Sequence, residues 1–178
     1  MLETVRDEHP QAVKQALETL CPPWFNAFQQ LLAIDAASEL ATSWEHIGIR
    51  IEIFRTLNTF LSSFPRMVAP QLPNYIQLTL STLSSLLPVF ISHYVSTAAE
   101  AEIPPSPTPD VGFVAQQSTI DGLVCAIFDF LTPAVRRENV QSMFEEGGVL
   151  RELVSLVLDY TQVTRTNVSH LIGGNWHI

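Results

Sequence analysis

The sequence predicts an all-α protein assembled from antiparallel helix hairpins in series. Three observations carry that expectation. Apolar residues recur at steps of three or four through most of the chain, and no alternating run long enough for a strand competes with them. Pro65, Pro70 and Pro73 gather in one short stretch, FLSSFPRMVAPQLP, between two strongly periodic segments. Proline in a helix interior costs about 3 kcal/mol through a lost hydrogen bond and a ring clash, so such a cluster marks a seam between helices.

The first periodic segment, 10–33, reads PQAVKQALETLCPPWFNAFQQLLA and is interrupted by Pro22-Pro23. It is either one kinked helix or two helices meeting at Cys21. The second runs over 43–63. Trp44, Ile47, Ile51, Phe54, Leu57, Leu61 and Phe64 make one stripe, and Ile49, Ile53 and Phe60 lie beside it. So broad an apolar arc suits a helix packed between two layers. Thr42 and Glu45 have capping-box spacing at its start, and Pro65 is its stop. The third segment, 71–97, carries Tyr75, Leu78, Leu83, Leu86, Leu87, Phe90 and Ile91, with a bend expected at Pro88. Pro70 and Pro73 fall where first-turn amides lack partners anyway.

Between 98 and 112 the pattern vanishes into TAAEAEIPPSPTPDVG. Its prolines, small residues and acids (Glu100, Glu102 and Asp110) bury too little surface to offset ordering entropy, which predicts a flexible acidic loop. Periodicity returns over 113–136 with Phe113, Ile120, Val124, Ile127, Leu131 and Val135. A short helix at 138–146 ends at Gly147-Gly148, a natural C-terminal stop. The last segment, 148–162 or from Val149 onward, places Leu150, Leu153, Val154, Val157 and Leu158 on one side. The endings IFRTLNTFLSSFP and IFDFLTP resemble one another as degenerate repeats would.

The chain has 178 residues, 47% hydrophobic and 15% charged, which suits a single segment with a real core. Nine Lys+Arg stand against 18 Asp+Glu, and Lys14 is the only lysine. A net charge of -9 argues against a nucleic-acid surface, which needs a basic stripe to displace phosphate counterions. It permits a basic protein partner, which an acidic field would steer. Cys21 and Cys125 have no metal-binding spacing and read as free, buried thiols. MLETVRDEHP is no secretory signal, and the most apolar run, Leu83 to Val95, is too short and interrupted to span a bilayer. The five histidines are scattered, and no nucleophile elbow, P-loop or dinucleotide fingerprint occurs, so neither an enzyme nor a metal or cofactor site is expected. Trp24, Trp44 and Trp176 read as core or hinge aromatics.

The acids are the informative polar set. Glu45 and Glu52 share one face of the helix at 43–63, and Asp121 and Asp129 share a face of the helix at 113–136. Were those helices side by side, four carboxylates would line one surface, either as a site for basic ligands or as a solvated face that keeps the chain soluble.

IRIEIFRTLNTFLSSFPRMV, LPNYIQLTLSTL, IDGLVCAIFDFL and VLRELVSLVLDYTQVT, in that order, resemble the HEAT repeats of the importin-β family of nuclear transport receptors, nearest to its importin-9-like branch. The likeness covers about residues 10–165 and rests on the ordered set, with no single diagnostic motif. It implies a right-handed α-solenoid of about three to four repeats, an internal stretch of a longer superhelix. It further implies a non-enzymatic carrier of basic cargo such as core histones, shuttling between cytoplasm and nucleus under Ran-GTP control. Ran itself would be held chiefly by repeats outside this segment. The family's second helices line the concave surface, which would put Glu45, Glu52, Asp121 and Asp129 within reach of cargo. Such receptors follow the Gln-(Val/Ile)-Thr turn, here Gln162 to Thr164, with a Trp-containing acidic loop. This chain instead reads RTNVSHLIGGNWHI there, so no contact of that loop is carried over. Repeats bury their faces against neighbours, so the segment alone is expected to self-associate or to be only marginally stable.

Overall fold

The computed structural model describes the backbone of residues 10–42, 44–100, 111–146 and 148–173, and side chains over 11–39, 45–92, 119–138, 140–144 and 148–164. Among the described residues there is no strand. The helices are α1 (Pro10–Leu32), α2 (Ala36–Thr42), α3 (Trp44–Ser63), α4 (Pro65–Val68), a 3-10 turn (Ala69–Gln71), α5 (Leu72–Glu100), α6 (Val111–Ala134), α7 (Glu138–Glu146) and α8 (Val149–Gly173).

Two layers organise them. One contains α1, α5 and α8, with α5 touching both others; the second is α3 against α6, the most extensive helix contact in the molecule. Ile51 lies over Gly122, its Cδ1 3.5 Å from where a Cβ on that glycine would stand. The Phe54 and Phe130 rings are 5.8 Å apart, and Arg137 donates to the Leu61 carbonyl at 3.1 Å. Residue numbers therefore rise together, and α3 and α6 run parallel. α5 and α8 do the same: Val149 and Glu152 sit by Leu80 and Ser84, while Tyr160 reaches Leu83 and Phe90 further along. The layers lock through aromatic rings, Phe25 edge-on to Phe60 at 5.3 Å and Phe128 edge-on to Tyr160 at 6.1 Å.

One polar device recurs in the first layer. Tyr75 of α5 donates its hydroxyl to the Phe25 carbonyl of α1 at 2.9 Å, and Tyr160 of α8 donates to the Leu83 carbonyl of α5 at 2.8 Å. Both rings are buried. Burial pushes both phenols well above the ordinary tyrosine range, against a smaller opposite effect of Gln29 on Tyr75.

Of the two readings of 10–33 the single helix holds: α1 is continuous and keeps Pro22 and Pro23 inside it. Other expectations are revised. Thr42 is the last residue of α2, a short helix whose run AASELAT has no periodic apolar signal; the Thr42 side chain, and with it the expected cap of α3, lies outside the described residues. Pro65 does not simply stop α3. The chain breaks at Phe64 (φ -136°, ψ 56°), and Pro65 opens α4, where its missing amide costs nothing. Pro70 lies in the 3-10 turn and Pro73 in the first turn of α5. α5 runs to Glu100 and α6 begins at Val111, so both ends of the expected 98–112 loop are helical; its centre lies outside the described residues. α8 continues to Gly173, well past the expected end at 162.

Periodicity also overstated burial. Ile47, Phe54, Leu57 and Leu61 are buried, but Ile49 is 48% exposed, because α3 has solvent on its outer side and no further layer. Trp24 is exposed, not a core aromatic; the Trp44 side chain and Trp176 lie outside the described residues. The stretch Pro65–Ser92 is long and apolar enough to cross a bilayer by length and composition. In this fold it is the central element, and Val68, Leu72, Ile76, Leu80, Leu83 and Leu86 are all buried against protein.

Candidate functional site

The outward face of α3 and α6 is the surface on which the sequence-derived acids fall. Along α3 the outward stripe carries Glu45, Ile49, Glu52, Arg55 and Thr59, with exposed His46 beside it; along α6 it carries Cys125, Asp129 and Thr132, continued by Arg136 in the turn beyond Ala134, with Asp121 half-buried at its upper end. The periods of three and four keep each set on one side. In the parallel register, Gly122 lies against Ile51 and Phe130 against Phe54, so Asp121 falls near the turn before Ile51 and Asp129 near the turn carrying Glu52 and Arg55. The fold thus brings all four candidate acids to one side of one layer.

The field there is mixed. Arg55 donates to Glu52 at 2.7 Å, and both side chains are about two-thirds exposed (64% and 68%), so the pair is solvent-screened and weak. Arg136, in the turn after α6, continues the α6 stripe. Arg55 offsets Glu52, and Glu45 and Asp129 are the other exposed acids of this surface. Of the three acids assigned to the loop, Glu100 ends α5, while Glu102 and Asp110 lie outside the described residues. Cys125 is exposed here, a correction to its expected burial, because α6 turns it outward between Asp121 and Asp129; Cys21 is buried, and desolvation pushes its thiol up. Both cysteines are free.

Two features escaped the sequence reading. Arg50 is only 1% exposed; its Nε donates to Glu39 and one terminal nitrogen to the Ile34 carbonyl, while Nη1 has no partner. His46 approaches the same carboxylate at 3.7 Å. A signal for Arg50 existed: it stands on the apolar stripe between Ile47 and Phe54, where an unpaired charge is costly. Nothing in the sequence announced Glu39 as its partner. The second feature is a groove of about 610 Å³ where α1 crosses the proline seam, lined by Val13, Leu17, Phe25, Phe64 and Met67 with Lys14 and Arg66 among its polar groups. The break at Phe64 opens it. Among the described residues no group of three or more His, Cys, Asp or Glu side chains is placed to hold a metal.

No protein-family model matches the chain, and no curated protein or solved structure does either.

Proposed function

We propose that the chain is a HEAT-repeat stretch of an importin-β-type nuclear transport receptor, holding basic protein cargo such as core histones on the outward face of α3 and α6. The observation that carries this reading is the convergence of Glu45, Glu52, Asp121 and Asp129 on one side of a layer of parallel helices. Parallel helices within each layer, with connections that pass from layer to layer, are what successive hairpins of an α-solenoid produce. A row of carboxylates along two adjacent helices offers lysine- and arginine-rich cargo several weak, additive contacts instead of one deep pocket. On this reading the protein works by binding alone, with no catalytic group or cofactor. It shuttles between cytoplasm and nucleus, and Ran-GTP acts chiefly on repeats outside this stretch.

The experiment is binding of core histones at rising salt, by fluorescence anisotropy. The reading expects affinity that falls steeply with salt, and a further loss of tenfold or more when Glu45, Glu52, Asp121 and Asp129 are all changed to Lys. Histone binding indifferent to both would remove the site assignment. The Glu52–Arg55 pair and Arg136 favour a second reading, an α-helical protein–protein scaffold outside nuclear transport, because they blunt the acidic field. On that reading histones do not bind measurably at physiological salt.

A further inference from the structure

The walls of the groove between α1 and the proline seam do not meet. Its apolar lining is Val13 and Leu17 of α1, Phe64 at the chain break and Met67 of α4, all half-buried, with the buried ring of Phe25 beside them. The space they enclose is about 610 Å³. That volume falls within the range of about 300–1,000 Å³ found for small-ligand sites, which are lined mainly by apolar side chains with a few polar groups.

The polar groups give the space a sign. Lys14, Glu18 and Arg66 are the charged side chains along it. Lys14 and Glu18 lie one helical turn apart at 3.7 Å and largely cancel. Arg66 is exposed and, among the described residues, has no carboxylate partner. On a chain of net charge -9, the groove is therefore a local positive spot whose complement is an anion. The remaining lining decides what that anion is attached to. Pro22 and Pro65 bring no N–H, and the α1 wall is helix interior, whose amides bond within the helix. A peptide lying here would bury main-chain amides with little to pair them, whereas an alkyl chain has no polar group to satisfy. We propose that the groove binds a linear alkyl carboxylate, its chain against Val13, Leu17, Phe25 and Met67 and its head group on Arg66. Met67, unbranched and polarizable, adapts to such a chain better than a stiff side chain would. The site shares no residue with the acidic face of α3 and α6, so it stands or falls apart from the cargo reading.

Isothermal titration calorimetry of the 178-residue chain with decanoate, kept below its micelle concentration, is expected to show one saturable site. Decanol, which keeps the alkyl chain and lacks the charge, is expected to bind about fivefold more weakly, the scale of one exposed ion pair. Arg66→Ala is expected to bring decanoate down to the decanol level, while Arg151→Ala, at an exposed arginine of α8, leaves it unchanged. Ser63→Trp sets a large ring at the exposed edge of the groove and is expected to abolish binding of both ligands. Circular dichroism at the parent level shows that the fold is kept; Glu18→Trp, also at an exposed edge, replaces Ser63→Trp if that control fails. A parent chain without saturable decanoate binding overturns the proposal. So does binding that survives the blocking tryptophan in a folded variant, or decanol that matches decanoate. A peptide of leucine and glutamate that displaces decanoate and binds more tightly overturns it in favour of a peptide groove. Self-association that Ser63→Trp abolishes, in a chain that takes up no decanoate, gives the groove to a second copy and overturns it as well.

Discussion

Arg50 brings a full charge into the apolar side of α3, and Glu39 and the Ile34 carbonyl are what hold it there. The pair ties α2 and the turn before it onto α3. Removing one partner of a buried ion pair strands the other, which costs about 3–5 kcal/mol. Glu39→Ala, which strands the fully buried Arg50, should therefore destabilise by about 3 kcal/mol in urea unfolding, while Arg50→Met should cost less, because the Glu39 carboxylate it strands is 12% exposed and keeps His46 beside it. Equal losses for the two would show that packing, and not charge, governs the site. Tyr75 and Tyr160 make a separate prediction. Their folded-state pKa values lie above the ordinary 10.0, so the unfolded chain gives up these protons first as pH rises. The stability tied to the neutral phenols is complete below pH 10 and is lost progressively above it. Alkaline unfolding should begin there and should coincide with tyrosinate absorbance; Tyr75→Phe plus Tyr160→Phe should move it to higher pH, at a cost near neutrality of about 1 kcal/mol per lost hydrogen bond. Tyrosines that titrate normally in the folded protein would overturn this.

At the scale of the helices, α3 and α6 set the middle of the molecule. Phe54 is wholly buried against Phe130, and Phe54→Ala should cost about 3–5 kcal/mol by calorimetry, with a concomitant drop in cooperativity. Two glycines inside these helices point the other way. A Cβ on Gly48 meets nothing within 4 Å, and one on Gly122 meets only Ile51 Cδ1 at ordinary contact distance. Since glycine in a helix interior loses about 0.8–1 kcal/mol to alanine, Gly48→Ala and Gly122→Ala should each raise the melting temperature. A fall at Gly122 would mean that α3 and α6 sit closer than this register allows. The seam at 60–73 also belongs here. Its prolines do not end one helix so much as start the next pieces: Pro65 at the first position of α4, Pro70 in the 3-10 turn, Pro73 in the opening turn of α5. The break at Phe64 turns the chain from the second layer back to the first, and the groove beneath α1 is its by-product.

At the scale of the whole molecule, the layers decide what the charges can do. Four carboxylates that were two unrelated pairs in sequence share one surface only because α3 and α6 run parallel and adjacent. Reversing the exposed Asp129 alone should weaken histone binding by several-fold while leaving urea stability within about 0.5 kcal/mol, as for surface changes generally. A large stability loss from that change would assign the acid to the fold instead of a partner.

The sequence by itself determined the helical class and the placing of the long helices, though not α2, α4 or the far ends of α5 and α8. Steps of three and four, proline and paired glycines are local facts, written within a few residues of the structure they cause. α7 matches its expected limits and α3 begins and ends within a residue of them. Only the tertiary structure decided which apolar stripe meets protein. Leu150, Val154 and Leu158 have the same period as Leu153, Leu156 and Tyr160, yet one set faces outward and the other α5. Periodicity is a property of one helix, whereas burial requires a neighbour, and the neighbours here come from distant sequence: Glu39 for Arg50, Leu83 for Tyr160, Gly122 for Ile51.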